Sequence, residues 1–104
     1  MYYNKAHKIE VLKSASKRNA GNYYKVLKLI YNLYTEYIAK HKQAYSTLSL
    51  KQLSEKVREE FPGMESINSY TIIDYQRTLA KLGYIRIVRE NGEWHIYITQ
   101  DLDF

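Results

Sequence analysis

Ser69-Tyr70-Thr71-Ile72-Ile73-Asp74-Tyr75-Gln76-Arg77-Thr78-Leu79-Ala80-Lys81-Leu82-Gly83-Tyr84-Ile85 is the stretch whose reading decides the fold. Ile72, Tyr75, Leu79 and Leu82 recur at spacings of three and four, so a helix here turns all four to one side. Asn68 or Ser69 can cap its start, since either side chain offers an oxygen to the free amides of a first turn. Gly83 is placed to end it, because helices commonly stop on a left-handed residue that carries no Cβ. Beyond it, residues 84–90 and 93–99 alternate in polarity around Asn91-Gly92, a strong hairpin signal. A two-residue turn sets the pairing: Glu90 with Glu93, Arg89 with Trp94, Ile87 with Ile96 and Ile85 with Ile98. One side of the hairpin then carries Ile85, Ile87, Trp94, Ile96 and Ile98, apolar enough to close over the helices.

Working upstream, a second helix begins at Ser49, which forms a capping box with Gln52 three residues on. Leu50, Leu53, Val57 and Phe61 line one face, and Pro62-Gly63 stops the helix. Thr47-Leu48, just before it, reads as a short extended segment. A first helix spans about Asn22 to His41, with Asn22 as its N-cap. Lys25, Lys28, Asn32, Thr35, Glu36, Ala39 and Lys40 form its polar stripe. Tyr23, Tyr24, Val26, Leu27, Ile30, Tyr31, Leu33, Tyr34, Tyr37 and Ile38 fill most of what remains. That is more apolar surface than one small core consumes, so either residues 1–20 or a second subunit is expected to pack on it, the second subunit being preferred. Residues 1–21 are basic and weakly patterned; they fit a flexible arm or a short amphipathic helix built on Ala6, Ile9 and Leu12.

The chain has 104 residues, one domain's worth, and a net charge of +5. Residues 1–45 hold nine lysines and arginines against Glu10 and Glu36, a balance of +7, whereas seven against nine leaves residues 46–104 at −2. A basic half suits a polyanion such as nucleic acid, although surplus lysine also simply solubilises a helix. The absence of cysteine excludes disulfides and thiolate metal sites and fits a reducing compartment. No apolar run reaches the roughly 20 residues of a membrane span, and Met1-Tyr2-Tyr3-Asn4-Lys5 lacks a signal-peptide core, so a cytoplasmic protein is expected. His7, His41 and His95 have no partners at metal-ligand spacing. No glycine-rich phosphate loop and no Ser/His/Asp set is visible. Neither catalysis nor a cofactor is expected.

Helix, helix, turn, helix and hairpin, in that order, resemble the winged helix-turn-helix superfamily of DNA-binding proteins. The local sequence agrees: Leu48–Val57 looks like the first helix of the helix-turn-helix pair, and Ser69–Ile85 like the recognition helix with the turn into the wing. The resemblance covers about residues 22–99 and implies a mainly α domain with a C-terminal antiparallel β-hairpin, residues 22–104, preceded by the segment 1–21. It departs in two places. The turn Pro62–Ile67 is longer than in the simplest members, and Glu90 opposite Glu93 gives the wing an acidic tip that would repel phosphate.

The resemblance also implies a function and its residues. The third helix would enter the major groove of double-stranded DNA, presenting Ser69, Tyr70, Thr71, Ile73, Asp74, Arg77, Thr78 and Lys81. Arg77 is the candidate for reading guanine, unless it pairs with Asp74 on its own helix. Ser69 and Thr71 suit phosphates near the helix start, or a cap and solvent. Lys51 and Gln52 match positions that touch the DNA backbone. Arg89, Asn91 and His95 are the wing candidates, although Arg89 can instead stack on Trp94 and turn chemistry alone explains Asn91. Lys13, Lys17 and Arg18, with Lys5 and Lys8, form either a phosphate-tracking arm or a solvated helix. Of the twelve tyrosines most are expected to be structural, with Tyr70 the exception. The expected function is a homodimeric, sequence-specific transcriptional regulator. The alternatives are a DNA-binding protein of plasmid or viral replication or partition, and a winged helix used to bind another protein.

Overall fold

The computed structural model describes residues 20–64 and 66–102. Helix α1 runs Ala20–His41, α2 Leu50–Glu60 and α3 Ser69–Lys81, with a single 3₁₀ turn, Pro62–Met64, between the last two. Strands β1, Ile85–Glu90, and β2, Glu93–Ile98, form an antiparallel pair. The chain is thus mainly α with a C-terminal hairpin, a layout compatible with a winged helix.

Helix α1 starts two residues earlier than the sequence suggests, so Asn22 lies within its first turn rather than capping it. Ala20 favours helix, and first-turn amides need no intrahelical acceptor, so Gly21-Asn22 does not stop the helix from extending. At its other end Lys42 takes a left-handed conformation (φ 52°), and the Gln43 amide donates back to the Ile38 carbonyl at 3.2 Å. That is the wrap-around ending usually built on glycine, here with Lys40 and His41 in the last turn to complement the helix dipole. At α2, Ser49 forms the capping box with Gln52, each side chain accepting from the other's backbone amide. At α3, Asn68 rather than Ser69 is the cap, its side-chain oxygen accepting from the Thr71 amide at 3.1 Å. Gly83 (φ 87°) follows α3 and turns the chain toward β1.

The core forms where the three helices meet the hairpin. Val26, Leu27, Ile30, Tyr31 and Tyr34 of α1 pack with Leu53 and Val57 of α2, with Ile72, Tyr75 and Leu79 of α3, and with Tyr84, Ile85 and Ile96. The hairpin register agrees with the sequence at each of the four expected pairs, and Asn91 (φ 52°) with Gly92 (φ 80°) makes the turn. Ser46, rather than Thr47-Leu48, is the extended residue before α2. It exchanges both backbone hydrogen bonds with Ile96, at 2.9 and 3.0 Å, and so anchors the α1–α2 connection to β2. On α1, Tyr24, Leu29, Leu33, Tyr37 and Ile38 are only half-buried. The expected arm or helix over residues 1–19 lies outside the described residues. Among the described residues no helix is long and apolar enough to cross a membrane.

Candidate nucleic-acid interface

Helix α3 divides cleanly into two sides. Ile72, Tyr75 and Leu79 are buried, while Ser69, Tyr70, Asp74, Arg77 and Lys81 are exposed. Tyr70 is 80% exposed, the most open large hydrophobic side chain of the described residues. Thr71 and Thr78 are intermediate, and both are tied locally. The Thr71 hydroxyl reaches Asn68 Oδ1 at 3.3 Å, and the Thr78 hydroxyl donates to the Asp74 carbonyl at 2.9 Å. Asp74 and Arg77 form no ion pair with each other, and Arg77 has no hydrogen-bonded partner among the described residues. Among the described residues nothing occupies the guanidinium fork.

Gln76 belongs to neither side as the sequence divides them. It is buried, and its amide donates to the Tyr34 hydroxyl oxygen at 2.6 Å, fastening α3 to α1. Burial raises the Tyr34 pKa above the ordinary tyrosine range, and the Gln76 hydrogen bond opposes that shift.

The structure brings Lys51, Ile73 and Arg77 together with residues that sequence reasoning left out. They line a cleft of about 720 Å³ between the start of α2, the outer side of α3 and the hairpin. Leu48, Leu50, Ile73, Ile87, Trp94 and Ile96 are apolar residues of its lining, which also includes Glu93. Ile73 is half-buried and lines this cleft. No sequence signal predicts such a cleft, because its walls come from segments up to about 50 positions apart. Gln52 is partly committed, since its side-chain oxygen accepts from the Ser49 amide.

On the hairpin, the Arg89 guanidinium lies 5.0 Å from the centre of the Trp94 ring, so the stacking alternative holds for Arg89. Asn91 sits in the turn. Because paired residues share a face, Glu90 and Glu93 lie on the opposite side of the hairpin from Arg89 and Trp94. His95, only 4% exposed, is stacked flat against Tyr45 at 3.9 Å on that second face. Its Nδ1 lies 3.2 Å from Glu90 and its Nε2 3.4 Å from Glu93. The Nδ1 contact lacks hydrogen-bond geometry, so among the described residues that buried nitrogen has the Glu90 carboxylate near it but no hydrogen bond. Tyr97 donates to Glu90 at 3.2 Å, and burial together with this carboxylate raises the Tyr97 pKa. The acidic tip is drawn back toward His95 and Tyr97. His95, a wing candidate by sequence, is buried against Tyr45 and not open to a duplex.

No family model, curated protein or solved structure matches the chain. Lys13, Lys17 and Arg18 lie outside the described residues. Among the described residues no group of three or more His, Asp or Glu side chains is arranged to hold a metal ion.

Proposed function

We propose that this chain is a sequence-specific DNA-binding regulator of the winged helix-turn-helix kind, with α3 as the helix that enters the major groove. The observation that carries this reading is the Arg77 fork, which has no partner among the described residues and stands on the exposed side of a helix whose other side is buried in the core. A planar fork held on a rigid helix suits the paired acceptors O6 and N7 of guanine. Ser69, Tyr70 and Lys81 extend the same exposed ridge, and the exposed Lys51 at the start of α2 is available to a neighbouring phosphate.

The protein acts as a homodimer in this reading. The second copy is placed on α1, along the Leu29 and Leu33 flank, which the chain's own core covers only in part. Two α3 helices would then meet successive major grooves about one helical turn apart. The test is selection of bound sequences from a random duplex pool at two salt concentrations. Enrichment of a pseudo-palindromic motif, with affinity falling steeply as salt rises, is the expected result. Undetectable or salt-insensitive duplex binding would remove the reading. Mapping the selected motif to promoters or to origin-like repeats separates a regulator from a replication or partition protein.

A protein-binding role is the second reading. The exposure of Tyr70 at 80% and Trp94 at 56% favours it, since both are side chains that anchor interfaces.

A further inference from the structure

The cleft between α2, α3 and the hairpin has the size of a small-molecule site, which typically encloses roughly 300–1,000 Å³. Its wall is chiefly apolar, and its charged groups are unevenly placed. Lys51 and Arg77 stand on the helical side with no anionic partner among the described residues. The amides of Leu50 and Lys51, at the first two positions of α2, also have no intrahelical acceptor and carry the positive end of the helix dipole. Glu93, the one acid in the lining, lies at the hairpin end with its carboxylate 3.4 Å from His95 Nε2. Trp94 is the chain's single tryptophan, and Arg89 occupies one side of its ring.

We propose that this cleft binds a small apolar carboxylate. The anionic group lies between Lys51 and Arg77, and the apolar body packs against Trp94, Ile73, Ile87 and Ile96. Two cations with no anionic partner among the described residues, set beside an apolar wall, attract an anionic ligand and repel a cationic one. A carboxylate answers both charges, and an aryl or branched aliphatic body fills the wall. One consequence rests on the DNA reading above. Lys51 and Arg77 would serve ligand and duplex alike, so the two exclude each other and the carboxylate releases the DNA.

Emission of Trp94 reports the cleft directly, with 3-phenylpropionate as the probe and its neutral amide, 3-phenylpropanamide, as the control. The carboxylate is expected to change the emission saturably and to bind about tenfold more tightly than the amide, the difference that charge-assisted hydrogen bonds supply. Arg77→Gln and Lys51→Gln each narrow that preference. Both side chains are exposed, and retained cooperative thermal unfolding shows that each variant folds. Equal affinity for acid and amide, or emission that neither compound changes, overturns the proposal. Adding a duplex enriched in the pool selection then separates the two readings. Ligand discrimination without any duplex binding leaves the cleft and sinks the DNA role. Duplex binding without ligand discrimination does the reverse, and simultaneous binding of both removes the exclusion.

Discussion

Tyr34 and Gln76 are the buried polar pair on which the seat of α3 depends; periodicity puts Tyr34 on the apolar side of α1, but it sees only where apolar residues recur and so misses Gln76. Replacing Tyr34 by Phe strips the Gln76 amide of its acceptor in a dry environment. A loss of about 1–3 kcal/mol in urea unfolding is expected, most of it recovered when Gln76→Leu is added, because an apolar pair leaves nothing unsatisfied. The pH dependence has a definite sign. Burial raises the Tyr34 pKa in the folded state above the ordinary value near 10. The neutral hydroxyl therefore contributes its full stability below that value, and the contribution is lost as pH climbs toward the folded pKa. Unfolding free energy measured from pH 8 upward should fall above pH 10, less steeply in Tyr34→Phe than in the parent. An equal slope would show that burial of this hydroxyl does not control alkaline stability. Arg77 is the opposite case, legible as an outward residue from the spacing of its apolar neighbours and open in the structure. Arg77→Ala is expected to cost about 1–3 kcal/mol at the selected DNA site and to relax discrimination at one guanine. Weakening that is uniform across sequences would assign Arg77 to phosphate instead.

Element boundaries were legible where a residue type has only one local use. Ser49 with Gln52, Gly83 after α3, and Asn91-Gly92 between the strands each sit where the sequence places them. The hairpin register followed because a two-residue turn leaves a single pairing of the flanking residues. Where no such residue stands, the sequence marks no boundary: α1 runs back past Asn22 to Ala20, and at the other end Lys42 does the work of a glycine. A side chain at φ 52° carries strain that glycine would not. Lys42→Gly is therefore expected to stabilise the protein by up to about 1 kcal/mol in thermal or urea unfolding, even though it removes a charge and adds freedom to the unfolded chain. A destabilised variant would show that the Lys42 side chain holds the ending together. Ser49→Ala removes half of the capping box and should cost about 0.5–2 kcal/mol. That loss bears on the cleft as well, since the same helix start positions Lys51 at its rim. The cleft itself was not legible, because no local pattern brings Thr47–Lys51, the middle of α3 and Trp94 into one wall.

Charge is the property that belongs to the molecule as a whole, and the sequence shows it without a fold: +7 over residues 1–45 against −2 over the remainder. The hairpin register adds that the two tip acids sit on one face with His95, so the face bearing Arg89 and Trp94 is not acidic at the tip. If the basic half follows the phosphate backbone, each contact releases counterions and steepens the fall of log K with log salt by about 0.9. Lys17→Ala together with Arg18→Ala removes two such contacts. The slope, read by fluorescence anisotropy on the selected duplex, should then fall by about 1.8, with affinity reduced alike for matched and mismatched sites. If those residues merely solubilise a helix, both slope and affinity stay at the parent values. Arg77→Ala should behave in the complementary way, changing which sequence is preferred more than how binding responds to salt. A protein whose two variants behaved alike in both measurements would not be reading DNA with α3, whatever its basic half binds.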